Sequence, residues 1–157
     1  GHNVSIRSRA DKTTAVLSKE GTPNDGYTGE FYWSPDSTRL VAIRRTRGGD
    51  RQVTLVESSP RDRTQPRIKT VPYLKPGDPI PQPKPHLFDV AKGKEIPVAD
   101  DLFANPWGCT DFHWAADSSR FFFVYNQRGH GTVRVVGVDA ATGKAEAVVN
   151  EECKTFF

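Results

Sequence analysis

Residues that could perform chemistry are few and scattered in this chain of 157 residues. None of its nine serines stands in a Gly-x-Ser-x-Gly sequence, which many serine hydrolases use to expose the nucleophile on a strained turn. The four histidines lack the short-spaced partners that zinc peptidases require. Neither type of glycine-rich phosphate-binding sequence occurs. The sequence therefore predicts no catalytic residue, no cofactor site and no metal site.

Two polar groups have both a functional and a structural interpretation. The adjacent carboxylates Asp100 and Asp101 could bind a cation, but two such ligands rarely suffice, and an exposed linker is favoured. The basic residues 44–51 could contact phosphate groups. They also fit a solvated hairpin tip whose charges discourage edge pairing, which is the favoured interpretation. Since the net charge is only +3, we expect no nucleic-acid partner.

The two cysteines, Cys109 and Cys153, form no Cys-x-x-Cys motif. They could form a disulfide in an exported protein or remain two free thiols, because spacing alone does not decide between these states. Free thiols are the favoured interpretation.

Short strands are the elements that must position these residues. Apolar and polar residues alternate over short segments bounded by Gly, Pro, Asp and Asn, which is typical of strands and turns. No segment of ten or more residues has a helical apolar period, and no apolar run is long enough to cross a membrane. The predicted strands cover residues 3–9, 13–18, 30–33, 39–44, 52–57, 68–71, 86–90, 94–98, 111–114, 120–126, 133–139 and 144–150.

Two sequence patterns recur along the chain. Residues 31–40 resemble residues 112–121, and both contain Trp-x-x-Asp-Ser. The hairpin sequence Asp-x-x-x-Gly-Lys occurs at residues 89–94 and 139–144. The second unit has about 40 residues and four strands, which is the size of one β-propeller blade. We expect each tryptophan to pack between neighbouring sheets and each hairpin glycine to adopt a positive φ.

The repeat predicts an all-β partial β-propeller: about two four-stranded antiparallel blades plus an N-terminal hairpin, with a proline-rich inserted arm. Eight of the twelve prolines fall within residues 60–85, which favours an insertion there. Because blades need neighbours, an arc with exposed ends is expected. The predicted segments are 1–27 (hairpin of a preceding blade), 28–99 (first blade with arm 58–85), 108–150 (second blade) and 151–157 (start of the next).

Residues 68–77, Ile-Lys-Thr-Val-Pro-Tyr-Leu-Lys-Pro-Gly, resemble the K-T-V-x-V-P-Y-P-K-A-G stretch of the dipeptidyl peptidase IV family, in the prolyl oligopeptidase clan. They follow Trp-Ser-Pro at residues 33–35, as in that family. Residues 125–130 and 150–157 resemble its bacterial members. The resemblance implies an N-terminal eight-bladed propeller, a C-terminal α/β-hydrolase domain, and removal of N-terminal dipeptides after Pro or Ala.

The resemblance also implies that the arm contacts a second subunit. The residues expected at this partner interface are Val71, Pro72, Tyr73 and Lys75. The family's paired glutamates, which grip the substrate amine, have no counterpart, because residues 21–24 read Gly-Thr-Pro-Asn. The pair Glu151 and Glu152 is interpreted as a solvated turn.

The expected function is that of a non-catalytic propeller segment, which contributes substrate gating and dimerisation to a parent serine peptidase. This chain alone should not hydrolyse peptides, and peptide substrate should bind only in the parent. We expect a homodimer through the arm or the exposed blade edges, and a periplasmic or extracellular parent. The alternative is a stand-alone, propeller-like module that binds a protein or peptide, with no hydrolase attached; further blades and a Gly-x-Ser-x-Gly downstream in the gene would exclude it.

Overall fold

The computed structural model describes residues 1–156, which form antiparallel β-strands and one short 3₁₀ turn, Asp101–Phe103. The strands are β1 (Ser5–Arg7), β2 (Thr14–Val16), β3 (Asp25–Trp33), β4 (Arg39–Thr46), β5 (Gln52–Glu57), β6 (Arg67–Pro72), β7 (Gln82–Asp89), β8 (Lys94–Ile96), β9 (Pro106–Trp114), β10 (Arg120–Gln127), β11 (Thr132–Asp139) and β12 (Ala145–Glu152). Among these residues, no helix is long and apolar enough to span a membrane.

The chain divides into two compact units. The larger unit, Gly1–Arg47 with Gln82–Phe157, contains two four-stranded sheets. The first blade has the strand order β3-β4-β7-β8, and the second has β9-β10-β11-β12. The hairpin β1-β2 belongs to the same unit. The smaller unit, Gly48–Pro81, contains the two-stranded sheet β5-β6 and is called the arm below.

Two apolar cores hold the larger unit together. One lies between the N-terminal hairpin and the first blade, where Val4 and Leu17 pack with Leu40, Ala42 and Phe88. The other lies between the blades. Its buried members include Val41, Ile43, Leu87, Phe103, Trp114, Phe121, Phe123, Tyr125, Val136 and Val138. Strand β4 contributes to both cores because successive side chains point to opposite faces of a sheet.

The repeated turns have the same local geometry in both blades. Ser37 and Ser118 adopt positive φ values of 59° and 62°. Gly93 and Gly143 also adopt positive φ values, of 63° and 73°. Glycine adopts such values without the steric cost that a Cβ atom brings. The expected role of the hairpin glycines is therefore confirmed.

The two tryptophans differ in burial. Trp114 is only 8% exposed, as expected for a residue packed between sheets, whereas Trp33 is 45% exposed. The expectation that Trp33 packs between sheets is therefore wrong for the described residues. Its neighbour Phe31 is also exposed. The N-terminal hairpin packs on Leu40 and Phe88 and leaves these two side chains of β3 uncovered.

The arm has different boundaries from the predicted 58–85. Strand β5 pairs with β6 and not with the first blade, whose third strand is β7. Proline is tolerated in β7 because β8 pairs only with its last three residues, so the earlier part of β7 is a sheet edge. The expected blade position of residues 52–57 is therefore wrong, and so is the assignment of residues 82–85 to the arm.

The end of the second blade also differs from the prediction. Strand β12 continues through Glu151 and Glu152, which pair with Val133 and Thr132. The two glutamates therefore form the end of an outer strand and not a solvated turn. The next ladder contact is the hydrogen bond from Cys153 N to Gly131 O, at 3.0 Å.

Candidate functional site in the inserted arm

The arm is a regular hairpin over its whole paired length. Six residue pairs, from Gln52↔Pro72 to Glu57↔Arg67, follow one another without a bulge. The amide of Tyr73 extends the ladder by donating to Arg51 O, at 3.0 Å. The β-branched residues of both strands favour this extended geometry.

A tight turn follows the second arm strand and fixes the direction in which the chain leaves that strand. Pro76 and Gly77 occupy the central positions, and Gly77 has φ +94°, as a type II turn requires. The amide of Asp78 donates to Lys75 O, at 3.0 Å, while the amide of Lys75 donates to Asp78 Oδ2, at 2.9 Å. Arg51 Nε lies 2.9 Å from Asp78 Oδ1. This ion pair ties the turn to the start of the first arm strand.

The four predicted interface residues lie together, but they do not share one surface. Pro72 and Lys75 are exposed, and Tyr73 is 54% exposed, whereas Val71 is half-buried. Because successive strand residues point to opposite sides, Pro72 lies on one face and Val71 on the other. Their role at a partner interface stays a prediction.

The sequence interpretation missed the most exposed aliphatic side chains of the arm. Val56 is 65% exposed and Ile68, directly opposite it, is 71% exposed. Leu55 is half-exposed on the other face. The signal was present in residues 52–57, where apolar residues fall on both faces of a strand. A two-stranded sheet is at best marginally stable when water covers both faces, so this surface is suited to a partner.

The charged residues of the two paired arm strands, Glu57, Arg67 and Lys69, lie on one face. Arg67 donates to Glu57 Oε2 through Nε and Nη2, at 3.0 and 2.7 Å. A longer contact of 3.5 Å joins Arg67 to Asp62 in the loop. Such exposed ion pairs contribute little to stability. Their charges do determine which surface of the arm can contact the same surface of a second copy without repulsion between like charges.

The larger unit has a cleft of about 420 Å³. Two ion pairs line it, Arg44 with Asp25 and Lys84 with Asp100, together with the hydrogen-bonded side chains of His86 and Glu95. The Arg44–Asp25 pair is bidentate, with N–O distances of 2.8 and 2.9 Å. Arg44 and Lys84 therefore each face a carboxylate within the cleft.

The basic residues 44–51 do not form one patch. Arg44 lines the cleft and lies over the Tyr27 ring, 5.9 Å from its centre. Arg45 pairs with Glu30, and Arg51 pairs with Asp78 in the arm. The solvated-tip interpretation is therefore wrong for Arg44, which is largely buried beside its carboxylate.

Both cysteines are free, which confirms the favoured interpretation. Cys109 is buried, and burial raises the pKa of its thiol to about 12. The thiolate is the reactive form, so Cys109 is a packing residue and not a nucleophile at neutral pH. Within residues 1–156, no group of three His, Cys, Asp or Glu side chains is placed to hold a metal ion.

Two four-stranded antiparallel blades that pack through a shared core define a β-propeller segment. The family model for the dipeptidyl peptidase IV N-terminal region matches residues 27–157. The chain belongs to that family.

Two solved bacterial structures have the same fold. A dipeptidyl peptidase 4 of Porphyromonas gingivalis covers 99% of the chain, with a TM-score of 0.71 and 16% identity. A protein of Bacteroides ovatus described as a dipeptidyl aminopeptidase IV covers 98%, with a TM-score of 0.61 and 17% identity. The chain spans 24% of the length of each. No curated protein sequence matches it.

Proposed function

We propose that this chain is a non-catalytic propeller segment of a dipeptidyl peptidase IV-like serine peptidase. In the parent enzyme it would pair two copies through the arm and form part of the wall that limits access to short peptides. Family membership supports the assignment to this class of parent. The observation that carries the pairing role is the exposed apolar surface around Val56 and Ile68.

The pairing role follows from how little of the arm is buried. Apart from Pro60 and Asp78, every residue of Gly48–Pro81 is half-buried or exposed. Exposed aliphatic pairs on a thin hairpin lose contact with water when they meet another protein surface, which favours association. A second copy is the partner proposed here.

The gating role is supported by the way the blades are joined. Trp114 Nε1 donates to Tyr32 O, at 3.1 Å, and the Tyr32 and Phe112 rings stack at 4.8 Å. Arg39 Nε donates to Ala140 O, at 3.3 Å. These contacts, called the blade joint below, resist relative movement of the blades, and a wall that excludes large substrates needs such stiffness.

Assays of the isolated chain and of the full-length parent test the assignment to a non-catalytic segment. A chromogenic dipeptidyl amide with proline in the second position is the substrate. We expect no hydrolysis by the 157-residue chain and hydrolysis by the parent that a serine-directed inhibitor abolishes. Inhibitor-sensitive turnover by the isolated chain would contradict the proposal. So would a parent that binds peptides without cleaving them, which is the behaviour of a binding module.

The proposal includes a periplasmic or extracellular location for the parent. Fractionation of the source cells, with detection of the parent by an antibody against this chain, tests it. Recovery of the parent only with cytosolic proteins would refute this part.

A further inference from the structure

The cleft of the larger unit holds two cations side by side. Arg44 of β4 and Lys84 of β7 lie directly opposite each other in the sheet, so both side chains project from the same face, and both line the cleft. The third basic side chain of the cleft, His86, is engaged by Glu95, with 2.6 Å between Nδ1 and Oε1. Like charges directly opposite in an antiparallel pair are destabilising. An anion bound between Arg44 and Lys84 would therefore stabilise the sheet.

The two cations are less exposed than the carboxylates that they face. The side chain of Arg44 is 21% exposed and that of Asp25 is 39% exposed. For Lys84 and Asp100 the exposed fractions are 32% and 51%. The cations therefore form the floor of the cleft, and the carboxylates form its rim. A ligand that enters the cleft can reach the floor once a rim carboxylate turns aside.

The two ion pairs of the cleft differ in how easily they open. Arg44 holds Asp25 through two hydrogen bonds, of 2.8 and 2.9 Å, and also lies over the Tyr27 ring. Lys84 contacts Asp100 through one hydrogen bond from Nζ. In the part of the chain that the structure describes, the Asp100 side chain does not cap the 3₁₀ turn that follows it. Because exposed ion pairs of this kind contribute little to stability, Asp100 can turn away and leave the Lys84 ammonium to another anion.

The remaining wall of the cleft is apolar. Four apolar side chains line it, Pro85, Pro97, Val98 and Phe103. The last three belong to the link that carries Asp100, so this wall adjoins the ion pair that opens most easily. The volume of about 420 Å³ falls within the range of small-molecule sites, which combine apolar walls with a few polar groups. A ligand that fits both features has one carboxylate at the end of an apolar body.

We propose that this cleft binds an organic carboxylate with an apolar body, in which the carboxylate pairs with Lys84 and the apolar body lies against Pro97 and Val98. The ligand carboxylate takes the place of the Asp100 side chain. A free organic acid and the C-terminus of a short peptide share this chemistry. The inference is independent of the pairing and gating roles proposed above, so its failure would leave both of them standing.

NMR titration of the isotope-labelled chain with small probes tests the site. Hydrocinnamate has the carboxylate and the apolar body, hydrocinnamide is its neutral counterpart, and phenylpropylamine has the opposite charge. We expect hydrocinnamate to shift the amide signals around Lys84 and Val98 with a dissociation constant of about 1 mM, as for a ligand of about eleven non-hydrogen atoms. The other two probes should bind about fivefold or more weakly. N-acetylphenylalanine distinguishes the sources: tighter binding than hydrocinnamate assigns the site to a peptide C-terminus, and weaker binding assigns it to a free acid.

Two variants should change the affinity for hydrocinnamate in opposite directions. Lys84→Gln removes the cation and should raise the dissociation constant about fivefold or more. Asp100→Asn removes the competing carboxylate and should lower it about threefold. Lys92→Gln is the matched control, because Lys92 also pairs with an aspartate of the first blade but is not among the side chains that line the cleft. It should leave the dissociation constant within about twofold. Circular dichroism confirms that each variant is folded.

Several results would overturn the proposal. Equal binding of the acid, the amide and the amine would show that charge does not select the ligand. Tighter binding of phenylpropylamine would mean that the rim carboxylates, and not the cations of the floor, attract it. Weaker binding of hydrocinnamate to Asp100→Asn would show that Asp100 does not compete with the ligand. Unchanged signals around the cleft at about 10 mM hydrocinnamate, well above the expected dissociation constant, would also overturn it.

Discussion

The two Trp-x-x-Asp-Ser turns have nearly the same sequence and backbone geometry but different surroundings. In the second blade Trp114 donates its indole N–H to Tyr32 O, at 3.1 Å, and is buried by the first blade. In the first blade the equivalent Trp33 has no blade packed on it among the described residues and is largely exposed. The turn is therefore encoded locally, whereas burial of its tryptophan is decided by the neighbouring sheet.

The hairpin glycines show the same contrast. Gly93 and Gly143 both have a positive φ. A Cβ atom on Gly93 would meet nothing within 4 Å, whereas one on Gly143 would lie 1.9 Å from Pro97 O. Gly143 O also accepts a hydrogen bond from Ala99 N, at 3.1 Å. The glycine of the second blade is thus required both by its backbone conformation and by close packing against the connection that leaves the first blade.

Equivalent substitutions in the two blades should lower the free energy of unfolding by different amounts, and the largest difference is expected for the tryptophans. Trp114→Ala should lower the free energy of unfolding by about 3–5 kcal/mol, because it empties a buried site and removes the bond to Tyr32. Trp33→Ala should cost about 1 kcal/mol or less, because much of its side chain is already in water. Urea unfolding monitored by circular dichroism measures both. Equal losses would show that Trp33 is covered in solution.

A smaller difference is expected for the glycines. Gly93→Ala should cost about 1–2 kcal/mol, the price of a Cβ atom in the left-handed region. Gly143→Ala has the same conformational cost and must also displace Pro97, which adds about 1–3 kcal/mol. Thermal unfolding of the two variants gives the comparison. Matching melting temperatures would mean that the chain around Pro97 moves aside without loss of stability.

How much of this could be predicted from sequence depends on how local each feature is. The strands, both repeated turns and the positive-φ glycines depend on residues close together in the chain, and the sequence predicted them. The pairing of residues 52–57 with the next strand, Arg67–Pro72, was not predicted, because the sequence of 52–57 does not show whether that strand joins the blade or the arm. Nor was the exposure of Trp33, because the surface that would cover it is specified elsewhere.

The arm illustrates the same limit for the candidate site. The proline-rich composition and residues 68–77 were sufficient to locate an inserted arm with exposed residues. Assigning residues to its two faces requires the register, which places Val56 opposite Ile68 and Leu55 opposite Lys69. Side-chain direction reverses with a one-residue slip in register, and no local signal in the sequence fixes it.

The smallest difference in stability is expected between the aspartates of the two turns, Asp36 and Asp117, and it appears only at acidic pH. The hydroxyl of Ser34 donates to Asp36 Oδ1, at 2.6 Å, and the amide of Thr38 donates to the same atom, at 3.0 Å. These bonds favour the carboxylate and lower the pKa of Asp36 from 3.8 to about 2. In the second blade Ala115 replaces that serine, and the pKa of Asp117 is lowered mainly by the hydroxyl of Ser119.

The sign of the pH effect follows from these shifts. A carboxyl group whose pKa is lower in the folded state stabilises the fold above about pH 4, and this contribution is lost as the pH falls towards 2. We expect Asp36→Asn to flatten the decline in melting temperature between pH 4 and pH 2 more than Asp117→Asn does, because only the first blade has the additional serine hydroxyl. Melting curves at closely spaced pH values test this. An equal or larger effect of Asp117→Asn would mean that the Ser34 hydroxyl is not what distinguishes the two turns.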